Sequence, residues 1–303
     1  MMKALIFPLI AAASLLTACG TSPKAQGQKV PAGAVTVDPF THLEVDGRIY
    51  LTFVQTKGTP RVVYSTAVAT ARHIDVTSTS HTLRIRTVRT ETFDDDMRFA
   101  VTVYAPAPEA IVCNGVSDAQ LGDIRTKSPL RITLNGPGDI EAGRIEASEF
   151  TAENRSSGDM DIKGVKAANV QYATLGPGDL RSGITRCENL GSSLRGPGDL
   201  TLHDVKATTA VARLRGSGDL AIEDIKAERL DARLDGAGDL TLSGIDAGTL
   251  TAHLYGAGDI TLTGKAEKAK LSLSGVGTLD ASTLRVKEVD TDHRNGHGEL
   301  IRP

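Results

Sequence analysis

Apolar and polar residues alternate along most of this chain, and no stretch carries the 3.6-residue period of an amphipathic helix. From Val37 to about Pro108 the alternation runs through Leu51-Thr52-Phe53-Val54, Ile74-Asp75-Val76, Leu83-Arg84-Ile85 and Phe99-Ala100-Val101-Thr102-Val103. Turn signals interrupt it at Asp46-Gly47 and Gly58-Thr59-Pro60. This pattern predicts strands throughout.

From about residue 126 onward the pattern itself repeats. Asp139, Asp159, Asp179, Asp199, Asp219, Asp239 and Asp259 stand 20 residues apart, and two looser copies follow with spacings of 19 and 21, ending in Thr278 and Glu299. Gly115-Val116-Ser117-Asp118 reads as a degenerate earlier copy. One residue after each Asp stands Ile140, Met160, Leu180, Leu200, Leu220, Leu240 or Ile260. Five residues before it, five of the seven copies carry Leu, and seven before it the column is mostly Ala. Apolar residues at i and i+2 in two short segments per repeat are strand periodicity. A leucine-rich repeat, whose period can also be 20, would need an Asn turn column and a helical return, and neither is present. The fold expected is all-β, a right-handed parallel β-helix (solenoid) with about 20 residues per coil. Stacked aliphatic columns bury ~1.5–3 kcal/mol per side chain, so only the assembled stack offsets chain entropy. Residues 37–125 are expected to be a β-rich cap or early coils, and 126–303 the repeats.

Each repeat turns through Gly-x-Gly-Asp. Pro137, Pro177 and Pro197 occupy the middle position in three copies, and the first glycine lapses once, at Ser156. The third-position glycine never lapses in the seven copies (Gly138, Gly158, Gly178, Gly198, Gly218, Gly238, Gly258). Gly-Pro-Gly predicts a type II turn with that glycine at positive φ. The Asp column points outward, where stacked carboxylates repel, so each is expected to accept a backbone N–H from its own turn. Calcium along the ladder would be the functional use of the same column, although the nine-residue calcium repeat is missing.

The composition fits a thin core. The chain of 303 residues has no Trp, five Tyr and six Phe against 31 Gly, and a net charge of −3 that gives no general affinity for nucleic acid. The seven histidines form no ligand set at recognisable spacing, although His253 and His293 read as sharing one outward column. No glycine-rich phosphate loop opens a helix, and no cofactor, metal site or catalytic constellation is indicated. A sugar-cleaving β-helix would need acidic residues clustered in a groove. Here they are evenly spread, and Tyr255 is the only aromatic beside the turn columns.

Residues 1–18 read as a signal peptide: Lys3, the apolar run from Ala4, then Leu16-Thr17-Ala18-Cys19. That ending resembles the lipobox of bacterial lipoproteins. It implies lipid on Cys19 and, with Gly20 rather than Asp following, an outer-membrane anchor facing the periplasm or the outside. Residues 19–36 then form a flexible tether. Cys113 and Cys187 lie three to four coils apart, too far for a bridge, and are expected to be free, buried thiols.

Phe40-Thr41-His42-Leu43-Glu44-Val45, Phe99-Ala100-Val101-Thr102-Val103-Tyr104 and the repeated Gly-Ser/Ala/Pro-Gly-Asp-Leu turns together resemble the autotransporter adhesin, head GIN domain family. The resemblance spans about Val37 to Pro303 and implies a β-helical fold in the cell envelope, with no binding residues transferred. The function expected is a non-enzymatic binding or adhesion module, with a passive envelope scaffold and a glycan-active enzyme as alternatives. Partners expected are the membrane, through Cys19, and an anionic glycan or envelope protein. Arg195, Arg213, Arg215 and Arg233 fall on three successive coils and form the candidate partner patch.

Overall fold

The computed structural model describes residues 33–65, 74–88, 98–293 and 297–303. The expected signal peptide, Cys19 and most of the expected tether lie outside them. Every regular element among the described residues is a β-strand.

The repeats build the parallel β-helix that the columns predict. Strand Ile140–Glu146 pairs in parallel with Met160–Lys166, and Glu149–Asn154 with Asn169–Thr174, in both cases with a register of 20 residues. From Leu200 onward each coil is one long strand, Leu200–Leu214, Leu220–Leu234 and Leu240–Leu254, still stacked at 20. These long strands bend sharply at Asp204, Asp224, Gly244 and Gly264, a column with positive φ throughout. Asp tolerates that left-handed conformation better than most residues, and glycine adopts it freely. The irregular spacing near the end is absorbed by bulges. Leu242 pairs with Leu262 but Ile245 with Gly264, and Thr261 pairs with Asp280 but Thr263 with Thr283.

Residues 37–125 are not separate from this stack, because their apolar side chains join the same continuous core. The order of coils in space differs from their order in the chain. His42–Asp46 lies between Thr82–Thr87 and Ala110–Asn114, and Ile49–Gln55 lies between Phe99–Ala105 and Asp118–Leu121, all in parallel. The outermost parallel strands are then covered by antiparallel ones. Ile74–Thr79 folds onto Thr82–Thr87 through Ser80 and His81, both at positive φ, and Arg61–Ser65 covers Phe99–Ala105. Ala34–Thr36, at the end of the expected tether, is a strand on the edge of Arg61–Ser65. Such covering closes an end that would otherwise offer a parallel edge to another chain. At the other end the leucine columns stop: Leu254 and Leu273 are followed in register by His293. His293 therefore continues the leucine column at its exposed end and does not share the column of His253, which runs through Ser272 to Asp292.

Cys113 is fully buried, which pushes its thiol up to about 12. Cys187 is free as well but only half-buried, at the corner where the neighbouring coils carry Ala167 and Ala207.

Candidate functional site

The Gly-x-Gly-Asp corner is where the structure departs most from the turn chemistry expected. None of the third-position glycines has positive φ, so the type II assignment is wrong. Glycine is required there by close approach between coils. A Cβ built on Gly238 would stand 2.0 Å from the carbonyl oxygen of Gly218, and one on Gly218 2.2 Å from that of Gly198. Gly138, Gly158, Gly178, Gly198 and Gly258 face the same obstruction. Ser156, the exception in the first glycine column, is buried, with its hydroxyl bonded to Asn154 Oδ1 and accepting the Gly158 N–H.

The Asp ladder also works between coils and not within a turn. Asp159 N–H donates to Asp139 Oδ1 at 2.8 Å, and the link repeats through Asp179, Asp199, Asp219, Asp239 and Asp259 at 2.8–2.9 Å. It begins at Asp118, confirming the degenerate first copy, and ends on the Thr278 amide. Each carboxylate therefore satisfies an amide that the corner removes from the sheet ladder. Arg181 reinforces it, at 2.6 Å from Asp179 and 3.7 Å from Asp159. One oxygen of each carboxylate is thus committed to the backbone. The melting temperature should be unchanged by chelator and by millimolar calcium, and a steep rise with calcium would show that the column is a metal site.

Three of the four arginines of the candidate patch share one groove. Arg195, Arg213 and Arg215 line one groove of about 430 Å³. Its floor and rim include Gly191, Ser193, Gln171 and Thr209. The groove exists because Gly191 and Ser193 are small in outward columns that elsewhere carry Val211, Asp231, Arg213 and Arg233. Among the described residues, no group bonds to or pairs with the side chains of Arg195 and Arg213. The ladder carboxylates are therefore not their partners. Across adjacent coils Arg213 faces Arg233 in register.

Arg233 belongs to the far end of this row. Its Nε donates to both carboxylate oxygens of Asp235, at 3.0 and 2.9 Å, while Arg215 reaches the same carboxylate at 3.4 Å. Hydrogen bonding to Arg233 holds Asp235 below the ordinary carboxylate range and raises Arg233 in turn. Arg233 also sits over the ring of Tyr255, 4.8 Å from its centre, and His253 stacks beside that ring at 5.9 Å. Tyr255 remains 46% exposed. In the sequence this tyrosine is only a lone aromatic beside the turn columns, because its contacts with Arg233 and His253 are side-chain geometry that the period does not encode.

A family model described as "Putative auto-transporter adhesin, head GIN domain" matches residues 39–220 and 208–300. The chain belongs to this family. Two solved structures share the architecture at low identity. A "putative adhesin" of Parabacteroides distasonis aligns with a TM-score of 0.61 at 12% identity, covering 92% of this chain and 97% of that one. A "putative adhesin" of Parabacteroides merdae aligns at 0.53 and 13%, covering 89% and 95%. At such identity the likeness is one of fold. No curated protein matches the chain.

Proposed function

We propose that this protein is a non-enzymatic lipoprotein of the cell envelope, a binding or adhesion module that holds a rigid β-helical surface away from the membrane. The observation that carries the reading is the arginine row. The guanidiniums of Arg195 and Arg213 have no partner among the described residues, and that of Arg215 shares Asp235 with Arg233, so three arginines converge on one groove above a closed aliphatic core. Membership of an adhesin-named family supports the same reading. Stacked coils fix the spacing of such side chains at about 4.8 Å, which suits an extended ligand better than a reacting centre.

Attachment through Cys19 and an outer-membrane location belong to this proposal. Cys19→Ser should move the protein from the membrane to the soluble fraction while leaving the fold intact. Protease added to intact cells should degrade the wild-type protein if the module faces outward. Retention of the processed Ser variant in the membrane at high salt would overturn the anchor.

A further inference from the structure

We propose that the row from Arg195 to Tyr255 binds a stretch of acidic glycan laid along the solenoid axis. In this arrangement an anionic group of the glycan sits between Arg195 and Arg213, and a sugar ring lies against Tyr255. The proposal rests on the binding role argued above and names its ligand class.

Three observations converge on it. The first is electrostatic: Arg213 stacks in register on Arg233, and Arg195 and Arg213 have no partner among the described residues. An anion bound there would receive charge-assisted hydrogen bonds from planar forks, which suit carboxylate and phosphate. The second is the lining. Gln171, Ser193 and Thr209 present amide and hydroxyl groups beside the arginines, matching the hydroxyl-rich surface of a sugar more than an apolar peptide side chain. The third is the half-exposed Tyr255, whose ring is fixed by Arg233 and His253. Arg195 and Tyr255 are three coils apart, about 14 Å at 4.8 Å per coil, so one short oligosaccharide reaches both. Asp235 lies between them, already neutralised by Arg215 and Arg233, and it sets a boundary between the anionic contact and the ring contact.

The test is binding of the full chain in detergent to a fluorescent oligogalacturonate of six sugars, to its methyl ester, to phosphorylated and dephosphorylated core oligosaccharide, and to polyglutamate. Either the uronate or the phosphorylated glycan should bind, more weakly as salt rises. Removing the charge of the glycan, or replacing Arg195→Glu with Arg213→Glu, should weaken binding by about tenfold or more. Tyr255→Ala should weaken the six-sugar ligand while leaving a single uronate unaffected. Which of the two charged glycans binds identifies the anion as carboxylate or phosphate. If the double charge reversal unfolds the protein, Arg195→Gln with Arg213→Gln replaces it under the same expectation. The site is refuted if neither glycan binds, if the neutral forms bind as well, if polyglutamate binds equally, or if a folded arginine variant binds like wild type. Should such a variant still adhere to envelope material as wild type does, the binding role survives and only this site is lost. If the wild-type chain adheres to no envelope material, the role fails with it.

Discussion

Gly238→Ala should destabilise the solenoid by about 3 kcal/mol, the upper end of what overpacking costs, although it adds a single methyl group. The new Cβ would lie 2.0 Å from the Gly218 carbonyl oxygen and 2.7 Å from its carbon, so two coils would have to separate at the corner. Backbone cannot yield as a flexible side chain can. The separation would also stretch the adjacent link from the Asp239 amide to Asp219 Oδ1, now 2.8 Å. Ala237, one residue earlier, is exposed at the tip of the same turn. Ala237→Val adds more atoms and should change stability by no more than about 0.5 kcal/mol. Urea titration of the two variants measures the difference. Equal midpoints would show that the glycine column is not a close-approach column.

Tyr172→Ala should cost about 3–5 kcal/mol, although alanine is the residue found one coil earlier at Ala152 and the next coil carries the equally small Ser192. Tyr172 crosses the core, and its hydroxyl bonds to Ser182 at 2.8 Å and Thr185 at 3.0 Å, all three residues being buried. Ser182 stands where the adjacent coils have Ile162 and Leu202, and Thr185 where they have Val165 and Val205. The large ring thus fills space that two shortened neighbours leave, and Phe150 meets it edge-on at 6.2 Å. Alanine would leave a cavity lined by two hydroxyls. Tyr172→Phe keeps the volume but strands those hydroxyls, at about 1–2 kcal/mol. Adding Ser182→Ala and Thr185→Val should recover most of that loss, and failure to recover would refute the hydrogen-bond account. Burial raises the Tyr172 phenol well above its ordinary 10.0, against the opposing hydrogen bonds. The folded pKa is the higher one, so this contribution is full below pH 10 and lost as pH rises beyond it. The stability gap between wild type and Tyr172→Phe should therefore narrow in alkali.

Much of this protein was determined by its sequence alone. A strict 20-residue period with two-residue alternation leaves few options, because inward side chains must meet their own kind on the next coil. The aliphatic columns, the outward Asp column and the grouping of Arg195, Arg213, Arg215 and Arg233 follow from that arithmetic. The resemblance of Leu16-Thr17-Ala18-Cys19 to a lipobox is local and needs no fold to be read. What the tertiary structure decided are the distances between coils, which a period does not encode. The glycines of the turn looked like a demand for positive φ, yet they answer to the carbonyl of the coil beneath. The Asp side chains looked local, yet each serves the amide 20 residues on, because parallel stacking brings that amide nearer than its own turn does. Residues 42–55 lie between two segments that follow them in the chain, and alternation cannot reveal this, since every such strand presents the same apolar face. Tyr172 broke its column in sequence for no local reason. Its explanation lies across the core in Ser182 and Thr185, ten and thirteen residues away, where volume lost on one wall is restored from the other.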